Sequence, residues 1–97
     1  MDLRWTEEAA TNLEGIADYI GRENPAMATR VANTIHDYVA DQLTQFPEIG
    51  RPGRVSGTLE LVVPSLPFIA GYRITDRTVQ ILAILHTRRG WPDDFNH

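Results

Sequence analysis

The chain has 97 residues, no cysteine, a formal net charge of −4 and a hydrophobic fraction of 42%. Without cysteine there are no disulfides, thiolate nucleophiles or Cys-ligated zinc, so stability must come from a small core or from a partner. The acidic balance disfavours broad binding to a phosphate backbone, and the apolar fraction is that of a globular domain rather than a disordered chain.

The elements follow in order. Leu3 and Trp5 alternate with polar residues and predict a short strand at a sheet edge. Thr6 is a candidate N-cap, with Glu7 and Glu8 in the first helical turn, where carboxylates complement the helix dipole. Ala9, Leu13, Ile16, Ala17 and Ile20 form one helical face, and Gly21 is expected to end that helix in a left-handed conformation. Asn24-Pro25 signals a second helix. Its stripe is Ala28, Val31, Ala32, Ile35, Val39, Leu43 and Phe46, and Pro47 stops it. The short connection makes the two helices an antiparallel hairpin. His36 lies beside the stripe and is given no role.

Pro47 to Gly53 is rich in turn residues. Arg54 to Val63 predicts a first main strand, with Leu59, Leu61 and Val63 on one face and Thr58, Glu60 and Val62 on the other. Phe68 to Ile74 is a second strand, and Thr75-Asp76-Arg77-Thr78 is a turn of hairpin length. Val79 to His86 is a third, apolar on both faces and so expected to be central. Trp91 is expected to pack back on the body. The result is an α+β domain over residues 1–97: a short N-terminal strand, a helical hairpin, then a three-stranded antiparallel meander, β-α-α-β-β-β.

Charge divides unevenly along this order. Residues 1–46 carry three arginines against eight carboxylates, and residues 47–97 carry six against five. All nine basic residues are arginine, a bias read first as codon usage and second as a preference for planar, bidentate contacts. The N-terminus MDLRWTEEAA lacks a cationic start followed by an apolar run, and no stretch reaches membrane-spanning length, so a cytoplasmic protein is expected. His36, His86 and His97 have no metal-ligand spacing. Gly50 and Gly53 around Arg51 do not match a phosphate-binding glycine loop. No metal or cofactor is expected.

An ordered set of residues then carries a family resemblance. It runs through Trp5-Thr6 with Ala9, Leu13, Ile16, Tyr19 and Ile20; Asn24-Pro25 with Ala28; and Phe46, Pro47, Gly50, Arg51, Gly53 and Arg54. It continues with Gly57-Thr58, Glu60 to Val63, Pro67-Phe68, Tyr72-Arg73, His86, Arg89 and Trp91-Pro92. Over nearly its whole length the chain resembles the RelE/ParE toxin superfamily of type II toxin–antitoxin systems, nearest the ParE branch. One departure is Leu59, where members commonly carry arginine. The resemblance implies a growth-inhibiting toxin, of the kind associated with plasmid stabilisation. A cognate antitoxin, a small DNA-binding protein whose C-terminal segment folds on the toxin, would neutralise it.

Two activities share this fold, so fold alone does not choose between them. ParE-like members inhibit DNA gyrase; RelE-like members cut mRNA on the ribosome. Cleavage through a 2′-hydroxyl needs a base, an acid and cations around the phosphate. His86, Arg73 and Arg89 are the candidates, with Tyr72 as a weak acid, and alternation leaves open whether His86 and Arg73 share a face. Pro67-Phe68 stands where cleaving members often carry a basic residue. The favoured expectation is therefore gyrase inhibition without a catalytic site and without direct nucleic-acid contact. The alternatives are an mRNA endonuclease, or a non-toxic relative that retains antitoxin binding. The expected target or antitoxin surface comprises Arg54, Glu60, Arg73, His86, Arg88, Arg89 and Trp91. Glu60 and Arg73 would also suit a cross-strand ion pair.

Overall fold

The computed structural model describes residues 1–91. Asp2–Trp5 forms β1, Glu7–Gly21 α1, Pro25–Gln45 α2, Arg51–Pro52 β2, Leu59–Val62 β3, Phe68–Thr75 β4 and Thr78–His86 β5. The N-caps are those the sequence predicts. Thr6 Oγ1 accepts from the Ala9 amide at 3.2 Å, and Asn24 Oδ1 accepts from Met27 at 3.0 Å ahead of Pro25. Gly21 does not close α1 in a left-handed conformation: Arg22 is the C-cap, with φ −59°.

The five strands lie in the order β1-β5-β4-β3-β2. β1 pairs in parallel with β5, and every other pairing is antiparallel. β5 is thus central between β1 and β4, as its two apolar faces predict, and the meander is embedded in a mixed sheet. The strand expected from Arg54 is shorter. Residues 53–58 fold into a turn, with Gly53 donating to Thr58 O at 2.8 Å and Gly57 at φ +80°. That reversal lets Arg51 lie opposite Glu60 and creates β2 from the predicted connector. Asp76 and Arg77 both have positive φ, as a two-residue hairpin of the type I′ kind requires.

Strict alternation fails once. Gly71 pairs with Ala83 but Tyr72 pairs with Ile81, so Leu82 has no partner and the phase of β5 shifts there. Val79 and Ile81 join the core under the helices, and beyond the bulge Ile84 joins it too. The helix-side core also holds Ile35, Val39, Leu43, Leu61, Val63 and Tyr72. Ile69, Ala83, Leu85 and Trp91 form a second cluster, on the face away from the helices. Among the described residues no helix is long and apolar enough to cross a membrane.

Candidate functional site

The expected surface residues fall into three groups. Arg54, Glu60 and Trp91 meet on the face away from the helices. Glu60 is only 4% exposed. Its Oε2 accepts from Trp91 Nε1 at 2.8 Å and from the Arg54 amide at 3.1 Å, and Arg51 Nη2 reaches Oε1 at 3.4 Å. Burial alone would raise this carboxyl, but the bonds from Trp91, Arg54 and Arg51 outweigh it and hold Glu60 below its ordinary value. The Trp91 ring lies over Gly71, where a Cβ would collide with it. The Arg54 guanidinium covers Gly90, where a Cβ would come within 2.8 Å of Nη1. Trp91 thus packs back as expected. The pair considered for Glu60 and Arg73 does not form, because Glu60 lies opposite Gly71 and its arginine comes from the strand on its other side.

Arg73 stands apart from that cluster. Its Nε donates to Gln80 Oε1 at 2.7 Å, and Arg4 and Arg73 both lie opposite Gln80 in the sheet register.

His86, Arg88 and Arg89 belong to a third group on the helix side. They line a groove of about 960 Å³ between α1, the β3–β4 turn and the end of β5, together with Ile16, Tyr19, Ile20, Leu66, Phe68 and Ile84. The groove exists because α1 is incompletely packed: only Ala9 is buried along it, while Leu13, Ile16 and Ile20 remain half-exposed. Tyr19 is 73% exposed. β1 ends opposite Ile81, so the second half of β5 is paired with β4 on one side and has no strand on the other. Asn12 Oδ1 accepts from the Ile84 amide at 3.0 Å across that gap. All the charged side chains among the groove's lining residues are cationic.

This geometry brings two of the nuclease candidates, His86 and Arg89, into one groove and leaves the third, Arg73, apart from them. His86 lies opposite Phe68 on the helix side, their rings meeting edge to face at 5.6 Å. Arg73 is on the other face, opposite Gln80 near the far end of the same hairpin. The His86 Nδ1 accepts from the Arg88 amide at 3.1 Å, which in neutral imidazole places the proton on Nε2 and leaves no free lone pair. Tyr72 is fully buried. Its hydroxyl donates to Pro47 O at 2.8 Å and accepts from the Gly50 amide at 2.9 Å. Burial pushes its pKa up. Among the described residues no group of three or more His, Asp or Glu side chains is placed to hold a metal ion.

The comparisons with known proteins agree with this architecture. Residues 3–91 match the family model described as the ParE toxin of the type II toxin–antitoxin system parDE. The chain belongs to the ParE toxin family. It is 42% identical over 90 residues to the protein Y4kP of Sinorhizobium fredii, covering 93% of this chain and 92% of that one. It is 36% identical over 85 residues to Toxin RelE2 of Caulobacter vibrioides, covering 88% and 93%. A solved chain from the chromosomal ParDE toxin–antitoxin system of P. aeruginosa superposes with a TM-score of 0.83 at 32% identity, covering 89% of this chain and 95% of that one. The protein is therefore a toxin of a type II toxin–antitoxin system, and membership of this family supplies a cognate antitoxin as its partner.

Leu59 is half-buried against the helix-side core and lies opposite Tyr72. Asn12 and Arg51 were not foreseen as site residues. Asn12 sits mid-helix, where a polar residue reads as solvent-facing. Arg51 reads as part of a turn until β2 is paired.

Proposed function

We propose that this toxin acts by binding rather than by chemistry, inhibiting DNA gyrase in the cytoplasm, and that its antitoxin neutralises it by seating a segment in the groove between α1 and the end of β5. The observation that carries the first part is that Tyr72, the candidate acid, is fully buried with its hydroxyl held by Pro47 and Gly50, while Arg73 lies across the sheet from His86. A base, an acid and cations must converge around one phosphate, and His86 has Arg88 and Arg89 beside it in the groove but neither Tyr72 nor Arg73. The engagement of Nδ1 by Arg88 and of the Tyr72 hydroxyl by the Pro47–Gly50 loop supports the same reading.

The groove supports the second part. It offers half-exposed Ile16 and Ile20, aromatic Tyr19 and the cations of Arg88 and Arg89. An amphipathic segment with acidic residues suits this combination. In the sheet face away from the helices, Arg73 with Arg4 remains accessible for the target, and arginine is enriched at binding hot spots.

Induced expression in a bacterial host tests the reading. DNA synthesis should stop first, with protein synthesis failing later, and co-expression of the antitoxin should restore growth. Immediate arrest of translation with cleaved mRNA would overturn the binding mechanism, and unimpaired growth would point to a non-toxic relative.

A further inference from the structure

One arrangement links the two faces of the sheet. His86 lines the groove, and five residues later Trp91 is buried on the opposite face. The chain between them makes a tight turn around the end of β5. Thr87 donates to Pro67 O at 3.0 Å, and Arg89 and Gly90 donate to His86 O at 3.1 and 3.2 Å. Gly90 takes φ +71°, a conformation that glycine adopts without strain. Arg88 and Arg89 sit on this turn with exposed side chains, so the backbone path, not side-chain packing, decides where their charges lie.

That path ends in a built socket. Trp91 Nε1 donates to Glu60 Oε2, and the ring rests over Gly71, which leaves room for it. Glu60 is in turn gripped by the Arg54 amide and the Arg51 guanidinium. β3, which carries Glu60, is bound along its length to β4. Trp91 is therefore tied into the interior of the sheet by its packing on Ile69, Ala83 and Leu85 and by a charge-assisted bond to Glu60, a stronger kind than one between neutral groups.

We infer that the Glu60–Trp91 bond is a clasp that positions Arg88 and Arg89 along the groove, making Glu60 and Trp91 positioning residues for antitoxin binding although they lie on the opposite face of the sheet. This rests on the reading of the groove as the antitoxin's seat. The clasp fixes the far end of a five-residue turn whose near end is fixed by β5. Releasing it widens the range of positions the two arginines sample, and binding must then bear the entropy of ordering them.

The test uses the full chain and its cognate antitoxin. Trp91→Phe keeps an aromatic ring over Gly71 and removes the N–H that reaches Glu60. Its antitoxin affinity should fall about tenfold, the scale of one charge-assisted bond. In an Arg88→Ala, Arg89→Ala background the same change should cost less than about twofold, because the groups it positions are gone. Limited trypsin digestion reads the clasp without the antitoxin: cleavage after Arg88 and Arg89, followed by mass, should be about tenfold faster in Trp91→Phe, since local opening governs such cuts. Equal losses in both backgrounds, or a cleavage rate equal to that of the unaltered protein, would overturn the clasp. The groove reading fails separately, if Arg88→Ala with Arg89→Ala leaves antitoxin affinity unchanged while trypsin still cuts Trp91→Phe faster.

Discussion

The two faces of the sheet meet the end of β5 in opposite ways. On the face away from the helices the chain closes its own surface: Trp91 covers Gly71, and the bonds to Glu60 satisfy a buried carboxylate. On the helix side α1 leaves a groove lined by half-exposed apolar side chains and cations. The first arrangement is complete within the chain and contributes to stability. The second gains most from a partner, which would bury what the free toxin leaves in water and stabilise it by mass action. The two helices repeat the contrast, since α2 buries Ala28, Val31, Ile35, Val39 and Leu43 while α1 buries Ala9.

The sharpest break of this comparison comes from matched truncations on the two helices. Ile35→Ala, at a fully buried site, should cost about 3 kcal/mol in denaturant unfolding. Ile16→Ala, at a half-exposed site in the groove, should cost under about 1 kcal/mol, yet should weaken antitoxin binding where Ile35→Ala does so only through stability. Equal stability losses would mean the groove is as well filled as the core. Next in size is Glu60→Ala, which strips the acceptor from Trp91 Nε1 and the Arg54 amide and should cost about 2 kcal/mol. Tyr72→Phe removes the hydroxyl that joins Pro47 to Gly50. It should cost about 1 kcal/mol and leave growth inhibition intact, whereas a catalytic acid at Tyr72 would make the variant harmless.

The smallest effect is in pH. The Glu60 carboxyl is held below its ordinary value of 4.5 in the folded protein. A depressed carboxylate adds stability that is fully present above the unfolded value and disappears as pH falls through the folded one. Thermal melting should therefore decline more steeply below about pH 4.5 in the unaltered protein than in Glu60→Gln, which has no proton to take up at that position. Parallel slopes would show that the carboxylate's bonds do not favour its charged form.

Much of this was legible in the sequence because local signals agreed with the fold. Thr6, Asn24 and Pro25 act within one turn of their helices, and the periodicity of α2 follows its burial as far as Leu43, whereas Phe46, expected in the same stripe, is exposed at the C-cap where the helical period has ended. The central place of β5 was also legible, since a strand apolar on both faces needs cover on both. What was hidden depends on pairing. β2 exists only because the 53–58 turn brings Arg51 opposite Glu60. The bulge at Leu82 shifts the phase of β5 and has no local signature. Arg88 and Arg89, expected on the surface, are exposed, whereas Trp91, expected beside them, is buried. Glu60 was expected among them, but its partners come from three separate stretches, at Arg51, Arg54 and Trp91. No periodicity reveals a contact across 31 residues. The expected group that included Pro92 extends beyond the described residues.

The central claim, that this toxin binds its target and performs no cleavage, is tested most directly by purified gyrase. The protein is added to a supercoiling reaction and, in parallel, to a cell-free translation reaction with labelled mRNA. The account predicts lost supercoiling, full-length mRNA and normal translation, with supercoiling restored when antitoxin is added first. Normal supercoiling beside arrested translation and cut mRNA would contradict it.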